Sequence, residues 1–231
     1  MFKTGRKYWL IIAVVITVMA GGMDPASATL LTDPTTCYSC NWNFENNDPI
    51  ANGGWSVSTL DGWTITGTGG GGTFYANKDA NGDGIGDAYV SPPSSRVAFS
   101  NGGAISQTLT NTLTAGHLYT LTVEVGNRLP TAFPGYSIEL WEGGNLFMSA
   151  SSLLGTAPIP VDGYFTTVTA ERLATFDGGQ LEIHLTSAGI QTNFDDVRLS
   201  TVAVPEPATL LFLGSGLLGL AGLGRKKIQV L

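Results

Sequence analysis

Residues 119–125 read Tyr-Thr-Leu-Thr-Val-Glu-Val, the clearest pattern of secondary structure in the chain. Its apolar side chains, with Tyr119 first and Val125 last, alternate with two threonines and Glu124. Side chains in a β-strand point alternately to opposite faces, so a period of two indicates a strand with one buried and one solvated face. The stretch therefore predicts a half-buried β-strand, which needs further strands to cover its apolar face.

The same alternation recurs on both sides of this strand. Trp63 and Ile65 alternate with threonines, which predicts a strand with Trp63 in the core. Further short strands are expected at residues 96–99, 105–109, 136–141, 146–150, 165–170, 181–186 and 194–199. The run of four glycines at residues 69–72 predicts a loop. Roughly eight to ten short strands between Gly-rich or polar turns predict an all-β protein, an antiparallel β-sandwich of jelly-roll type.

The sandwich is expected to occupy residues 29–203, a suitable size for one domain with a sizeable core. This region holds five basic and sixteen acidic residues, which gives it a net charge of −11. Nucleic-acid binding needs clustered Lys and Arg, so this composition argues against a nucleic-acid partner.

The N-terminus has the layout of a secretory signal peptide. Three basic residues between Lys3 and Lys7 precede the apolar stretch 8–20, and Ala26-Ser27-Ala28 supplies small residues for cleavage. Residues 1–28 are therefore predicted to be removed by signal peptidase after export. The alternative is an uncleaved N-terminal anchor.

The C-terminal segment, residues 204–231, combines a short motif, an apolar run and a basic end. The run 208–223 has no charge and is followed by Arg225-Lys226-Lys227. As a helix it would be about 24 Å long against a hydrocarbon core of about 30 Å, so it is predicted as a short transmembrane helix. A basic cluster at such an end stays in the cytoplasm, which places the preceding domain outside.

The motif before this run is Val204-Pro205-Glu206-Pro207. Together the three parts resemble the PEP-CTERM sorting signal of exported bacterial proteins. The resemblance implies recognition of the Pro-Glu-Pro by an exosortase-type membrane protease. It also implies anchoring in the inner membrane before processing, and then a place at the cell surface or in the extracellular matrix.

The two cysteines, Cys37 and Cys40, form a C-x-x-C sequence near the expected mature N-terminus. In an exported protein this spacing favours a small disulfide. A thioredoxin-like redox pair would need a βαβ context, and a structural zinc site would need four ligands. The disulfide is therefore the expectation.

A candidate Ca²⁺ site lies in residues 79–87, which read Asp-Ala-Asn-Gly-Asp-Gly-Ile-Gly-Asp. Oxygen side chains at alternate positions and a Gly for the sharp turn fit this hard cation. The loop resembles those of EF-hands and thrombospondin type 3 repeats. That resemblance implies side-chain ligands and one backbone carbonyl, from Asp79, Asn81, Asp83, Asp87 and, through its carbonyl, Ile85. The alternative is an acidic surface loop without an ion.

A second resemblance lies at the two ends of the domain. Asn43-Phe44-Glu45 near the start and Phe194-Asp195-Asp196-Val197 near the end are similar to carbohydrate-binding modules of the galactose-binding-like jelly-roll type. This resemblance implies that Glu45 and Asp195 bind a structural Ca²⁺. The alternative is that both carboxylates hydrogen-bond neighbouring turns.

A sugar site would need an exposed aromatic ring beside polar groups. Trp141 is the best candidate, because it is out of phase with the apolar residues of its strand and shares a face with Glu139. Trp55 and Tyr75 are weaker candidates. The alternative for each ring is simple packing.

No Gly-x-Ser-x-Gly, H-E-x-x-H or phosphate-binding motif is present. The sequence therefore predicts a non-catalytic protein of the cell surface or matrix that binds polysaccharide and Ca²⁺. The alternatives are a structural or adhesive matrix protein without a small ligand, and a glycan-processing enzyme.

Overall fold

The computed structural model describes residues 29–30, 41–45, 54–57, 60–76, 88–204 and 214–219. These residues form ten strands, all paired antiparallel. They are β1 Thr29–Leu30, β2 Trp55–Ser56, β3 Thr64–Thr66, β4 Gly71–Tyr75, β5 Arg96–Thr112, β6 His117–Gly126, β7 Tyr136–Glu142, β8 Asn145–Ser151, β9 Phe165–Leu173 and β10 Gln180–Ala203.

Two long strands, β5 and β10, run through both layers of a β-sandwich. One layer has the order β2-β4-β5-β10-β6-β9, and the other contains β3, β5, β10, β7 and β8. The first half of β10 pairs with β7 and the second half with β6. The register shifts between Ser187 and Thr192, where β10 passes from one layer to the other.

The main core lies between the layers and is made of the inward faces that alternation predicts. In β6 the buried residues Tyr119, Leu121, Val123 and Val125 all belong to it. In β5, Ala98 joins this core, whereas its neighbours point outward. The outward side chains form a second cluster, which consists of Phe74, Ala76, Ala88, Tyr89, Val97 and Phe99, with Phe165 packed against them.

The predicted fold class is confirmed, since the described residues form an antiparallel β-sandwich and Trp63 is buried in its core. Two local predictions are wrong. The strands expected at residues 96–99 and 105–109 are one strand, β5, because Ser100 and Gly103 continue the pairing with β10 and β4. The four-glycine run is not all loop, because Gly71 and Gly72 belong to β4 and pair with Ser100 and Phe99 of β5.

The predicted signal peptide, residues 1–28, and the predicted disulfide between Cys37 and Cys40 lie outside the described residues. Of the predicted transmembrane segment 208–223, the structure describes residues 214–219, which are helical. Within the described part of the chain, no helix has both the length and the apolar character needed to cross a membrane.

Candidate functional site

An open cleft with aromatic walls lies on the outer side of β2, β4 and β5. The register places Trp55 opposite Phe74, and β5 brings Phe99 next to them. The cleft has a volume of about 250 Å³. We call it the aromatic cleft, and its lining is Trp55, Val57, Phe74, Phe99, Asn101, Arg128 and Gln191. The Trp55 side chain is 63% exposed, so its ring is available to a ligand.

Arg128 places a positive charge against one aromatic wall. Its guanidinium carbon lies 4.6 Å from the centre of the Phe74 ring, within the range of a cation–π contact. Its Nη1 donates a 2.7 Å hydrogen bond to Oε1 of Gln191, which is neutral. The cleft therefore contains a cation held by an aromatic ring and an amide.

Two polar atoms in this cleft are buried without a hydrogen-bond partner among the described residues. They are Nε of Arg128, a donor, and Oδ1 of Asn101, an acceptor. A buried polar atom without a partner costs about 1–3 kcal/mol, so such atoms are uncommon in a folded protein. Because neither atom is exposed to the cleft, a ligand that offers an acceptor and a donor would satisfy them once the two side chains turn these atoms toward it.

Tyr89 lies beside the aromatic cleft in the same outer cluster. Its ring packs on Phe165 with centroids 4.6 Å apart, and its hydroxyl donates a 2.7 Å hydrogen bond to Oδ1 of Asn193. Burial raises the pKa of Tyr89 well above its usual range, and the charge of Arg128 opposes that shift only in part. Tyr89 is therefore a protonated phenol that donates to Asn193 at neutral pH.

A second cleft, of about 220 Å³, surrounds a buried carboxyl on β10. We call it the acidic cleft, and its lining is Trp42, Asn43, Pro93, Ser94, Asp195, Asp196 and Arg198. Oδ2 of Asp195 accepts from the Ser94 hydroxyl, and Oδ1 accepts from the backbone N–H of Asp196 at 2.8 Å. Nε of Arg198 donates to Oδ1 of Asp196 at 2.7 Å, so this cation is paired.

Asp195 has an unusual protonation equilibrium. Burial raises its pKa from 3.8 to about 7, and the negative charges of Asp196 and Glu45 act in the same direction. The hydrogen bonds from Ser94 and Asp196 act in the opposite direction and are too weak to cancel the burial. About half of the molecules would therefore hold a proton on Asp195 near neutral pH.

The predicted Ca²⁺ ligands Glu45 and Asp195 lie close enough to repel each other. Glu45 is also bound by Arg96, whose backbone N–H donates to Oε1 at 2.8 Å and whose Nη1 donates to the Glu45 carbonyl at 2.6 Å. The described residues contain no group of three or more His, Cys, Asp or Glu arranged for a metal ion. An ion at Glu45 and Asp195 would therefore need its other oxygen ligands from hydroxyls, backbone carbonyls or water.

Trp141 and Glu139 lie in β7, in the opposite layer from the aromatic cleft. Nε1 of Trp141 donates to Oε2 of Glu139 at 2.7 Å, and the indole stacks on His184 at 5.1 Å between centroids. His184 is in turn 3.1 Å from Oε1 of Glu182. The two predicted residues do lie together, but the indole and the carboxylate already contact one another and the imidazole.

The remaining predicted site residues fall largely outside the described residues. This holds for the Ca²⁺ loop with Asp79, Asn81, Asp83, Ile85 and Asp87, and for Pro205, Glu206 and Pro207 of the sorting motif. Val204 is described, and its backbone N–H donates to the carbonyl of Gly116 at 2.7 Å.

Of the residues that line the aromatic cleft, Trp55 was a weaker predicted candidate, and Arg128, Phe74 and Phe99 were not predicted. The alternating strand pattern places aromatic residues on a face, but Arg128 follows β6 in a loop with no motif around it. The sequence feature that could have indicated Arg128 is the scarcity of cations, since it is one of only five basic residues between positions 29 and 203.

Comparison with known protein families gives two matches. The profile of the HpiC1-like family, described as HpiC1 cyclase, matches residues 40–200. The profile of the PEP-CTERM protein-sorting motif matches residues 203–226. Both clefts lie within the first match. Among curated proteins, none matches the chain.

Several solved structures of cyclases from Fischerella share the fold. An apo cyclase from Fischerella sp. is 23% identical with a TM-score of 0.62, over 78% of this chain and 99% of that one. The Stig cyclase Fisc from Fischerella sp. TAU, bound to (3Z)-3-(1-methyl-2-pyrrolidinylidene)-3H-indole, is 22% identical with a TM-score of 0.62, over 78% and 100%. A Fischerella sp. TAU cyclase bound to 4-(1H-indol-3-yl)butan-2-one is 23% identical with a TM-score of 0.60, over 72% and 96%.

Proposed function

The chain belongs to the HpiC1-like cyclase family, and from this membership we propose that it is an exported enzyme that closes a ring in a small substrate held by the aromatic cleft. The membership corrects the expectation of a non-catalytic, polysaccharide-binding protein, because the matching family is one of cyclases. The expected carbohydrate-binding module is corrected in the same way, and its β-sandwich fold is retained.

The walls of the aromatic cleft suit a flat, apolar ring. Trp55, Phe74 and Phe99 present three aromatic side chains to one space, and such rings bind another ring by offset or edge-to-face contact. Two of the similar cyclases were solved with indole-bearing molecules. We therefore propose a substrate with an indole or a ring of similar size.

Ring closure within one molecule depends on holding its two reacting ends close together. The aromatic rings would fix the flat part of the substrate. Arg128, whose guanidinium stays charged at any physiological pH, would donate to an acceptor atom on the substrate and so orient the part that the rings do not hold. Asp195 is not proposed as the proton donor, because the two clefts share no lining residue.

We further propose a structural Ca²⁺ at Glu45 and Asp195. Burial and two neighbouring carboxylates hinder ionisation of Asp195, and no cation lowers its pKa. A bound Ca²⁺ would supply the missing positive charge and join the segment before β2 to β10. The Ca²⁺ site in residues 79–87 is proposed on its ligand spacing alone.

The PEP-CTERM motif implies export and processing by an exosortase, a membrane protease. We propose that residues 208–223 anchor the chain in the inner membrane until that protease acts, and that the processed protein then remains at the cell surface or in the matrix. This would place the cyclase outside the cytoplasm.

The test is calorimetric titration of the full chain with 4-(1H-indol-3-yl)butan-2-one. We expect saturable binding that weakens by about tenfold in Trp55→Ala, because loss of a ring contact costs about 1 kcal/mol beyond the buried area. Trp141→Ala is the matched control, because this indole lies in the other layer and should not affect binding. Equal affinities in wild type and Trp55→Ala would count against the aromatic cleft as the site.

A further inference from the structure

We propose that the aromatic cleft selects a substrate whose flat ring carries a carboxylate, and that Arg128 is the residue that determines this specificity. The inference rests on the proposed function and adds the chemical class of the substrate. It follows from the charge, the hydrogen-bond partners and the burial of Arg128 and Asn101.

Arg128 holds a charge that the described residues do not neutralise. Arg198 pairs with Asp196, and His184 pairs with Glu182 when the imidazole is protonated, and neither pair includes Arg128. Its partners are the neutral Gln191 amide and the face of the Phe74 ring. In a domain with so many more acidic than basic residues, a cation left without a carboxylate in a cleft favours an anionic ligand.

The Nε edge of this guanidinium has the right geometry for a carboxylate, and a turn of the side chain would bring it to the cleft. Nη1 is occupied by Gln191, whereas Nε is buried without a partner in the described part of the chain. The Nε–H and one N–H of Nη2 lie side by side on the guanidinium plane, so they can donate to the two oxygens of one carboxylate. A ketone oxygen could accept from this edge but would bring no charge and no second oxygen.

Asn101 adds a matching acceptor on the wall next to Phe99. Its Oδ1 is buried and has no partner among the described residues, so a small rotation of the amide toward the cleft would let it accept from an N–H on the ring of the ligand. The cleft thus offers one acceptor for a ring N–H, three aromatic walls for the ring, and two adjacent guanidinium N–H groups for a carboxylate.

Two ligands of nearly equal size separate this proposal from the proposed function. They are 4-(1H-indol-3-yl)butan-2-one and 3-(1H-indol-3-yl)propanoate, which differ in a methyl ketone against a carboxylate that is ionised at neutral pH. By calorimetry with the full chain at low salt, we expect the propanoate to bind about tenfold more tightly, because charge-assisted hydrogen bonds are roughly twice as strong as neutral ones. That preference should shrink as salt is added.

The variants address Arg128 directly. Arg128→Gln should bring the ratio of the two affinities close to one. Arg128→Lys keeps the positive charge but loses the two parallel N–H donors, so it should retain part of the preference for the propanoate. A melting curve of each variant checks that it folds. If Arg128→Gln does not fold, the salt dependence of the wild type and the affinity ratio in Arg128→Lys test the role of Arg128 instead.

Equal affinity of the wild type for the two ligands would overturn the carboxylate proposal and leave the proposed function standing. Binding of neither ligand would overturn both. A preference for the propanoate that persists in Arg128→Gln would show that another group binds the carboxylate, and would overturn the role of Arg128.

Discussion

The hydroxyl of Tyr89 donates a 2.7 Å hydrogen bond to Oδ1 of Asn193, 104 positions further along the chain. Both side chains are fully buried, and Nδ2 of Asn193 donates in turn to the carbonyl of Ala98 at 3.3 Å. This buried chain of hydrogen bonds connects the segment before β5, β5 itself and β10. Tyr89 lies in the same cluster as Phe74 and Phe99, so the hydrogen bonds support two walls of the aromatic cleft.

We predict that Tyr89→Phe lowers the free energy of unfolding by about 1–3 kcal/mol, because it leaves the buried Oδ1 of Asn193 without its donor. Urea denaturation followed by fluorescence measures the change. Tyr164→Phe is the matched control, because Tyr164 is 43% exposed and its loss of a hydroxyl should change little. Equal stability of the two variants would contradict the role given to the Tyr89 hydroxyl.

The strands and the fold class could be predicted because the alternation of apolar and polar residues that indicates a strand is local in the sequence. The alternation from Tyr119 to Val125 corresponds residue by residue to the buried positions of β6. The continuity of β5 could not be predicted in this way. Polar and glycine residues at 100–103 have the composition of a turn, and they are held in a strand by pairing with distant segments, for example that of Ser100 with Thr192 and Gly71.

The candidate sites, too, could be predicted only in part. Glu45 and Asp195 were expected to meet through a resemblance, and the structure does bring them close. The aromatic cleft was missed because Phe74, Phe99 and Arg128 come from three separate segments. Which side of the sheet each ring takes depends on strand register, and a loop arginine gives no periodic signal.

We predict that stability measured in chelator falls as the pH rises from about 4 to about 8. The pKa of Asp195 is raised from 3.8 to about 7, so the folded state holds a proton that the unfolded state has lost in this range. Stability falls with pH wherever the folded state binds more protons, and this carboxyl alone would account for roughly 4 kcal/mol.

Asp195→Asn is the variant that checks this slope. It imitates the protonated carboxyl, so the decline between about pH 4 and 8 should largely disappear. Glu171→Gln, on the exposed face of β9, should keep the wild-type slope. A wild-type slope in Asp195→Asn would mean that other groups control the pH dependence.

We predict that Ca²⁺ raises the melting temperature of the chain relative to chelator. An ion that binds only the folded state stabilises it by mass action, by about 2.7 kcal/mol at a concentration one hundred times its dissociation constant. Loss of the shift in Asp195→Asn would place the ion with Glu45, whereas loss in Asp83→Ala would place it in residues 79–87. No shift in the wild type would remove both proposed ions as stabilising elements.

We predict that Gly72→Ala lowers both the affinity of the aromatic cleft for its ligand and the stability of the fold. Gly70→Ala should lower mainly the stability. A Cβ on Gly72 would lie 1.7 Å from the carbonyl oxygen of Ser56, so β2 and its Trp55 would have to move away. A Cβ on Gly70 would meet nothing within 4 Å, and its cost is the left-handed φ of +73°, about 1–2 kcal/mol. Melting curves and calorimetry with 4-(1H-indol-3-yl)butan-2-one measure the two effects separately. Since both variants add one methyl group to the same glycine run, affinity lost only in Gly72→Ala would show that the close approach of β4 to β2 holds the Trp55 wall. Unchanged affinity in Gly72→Ala would mean that the ligand does not depend on that wall.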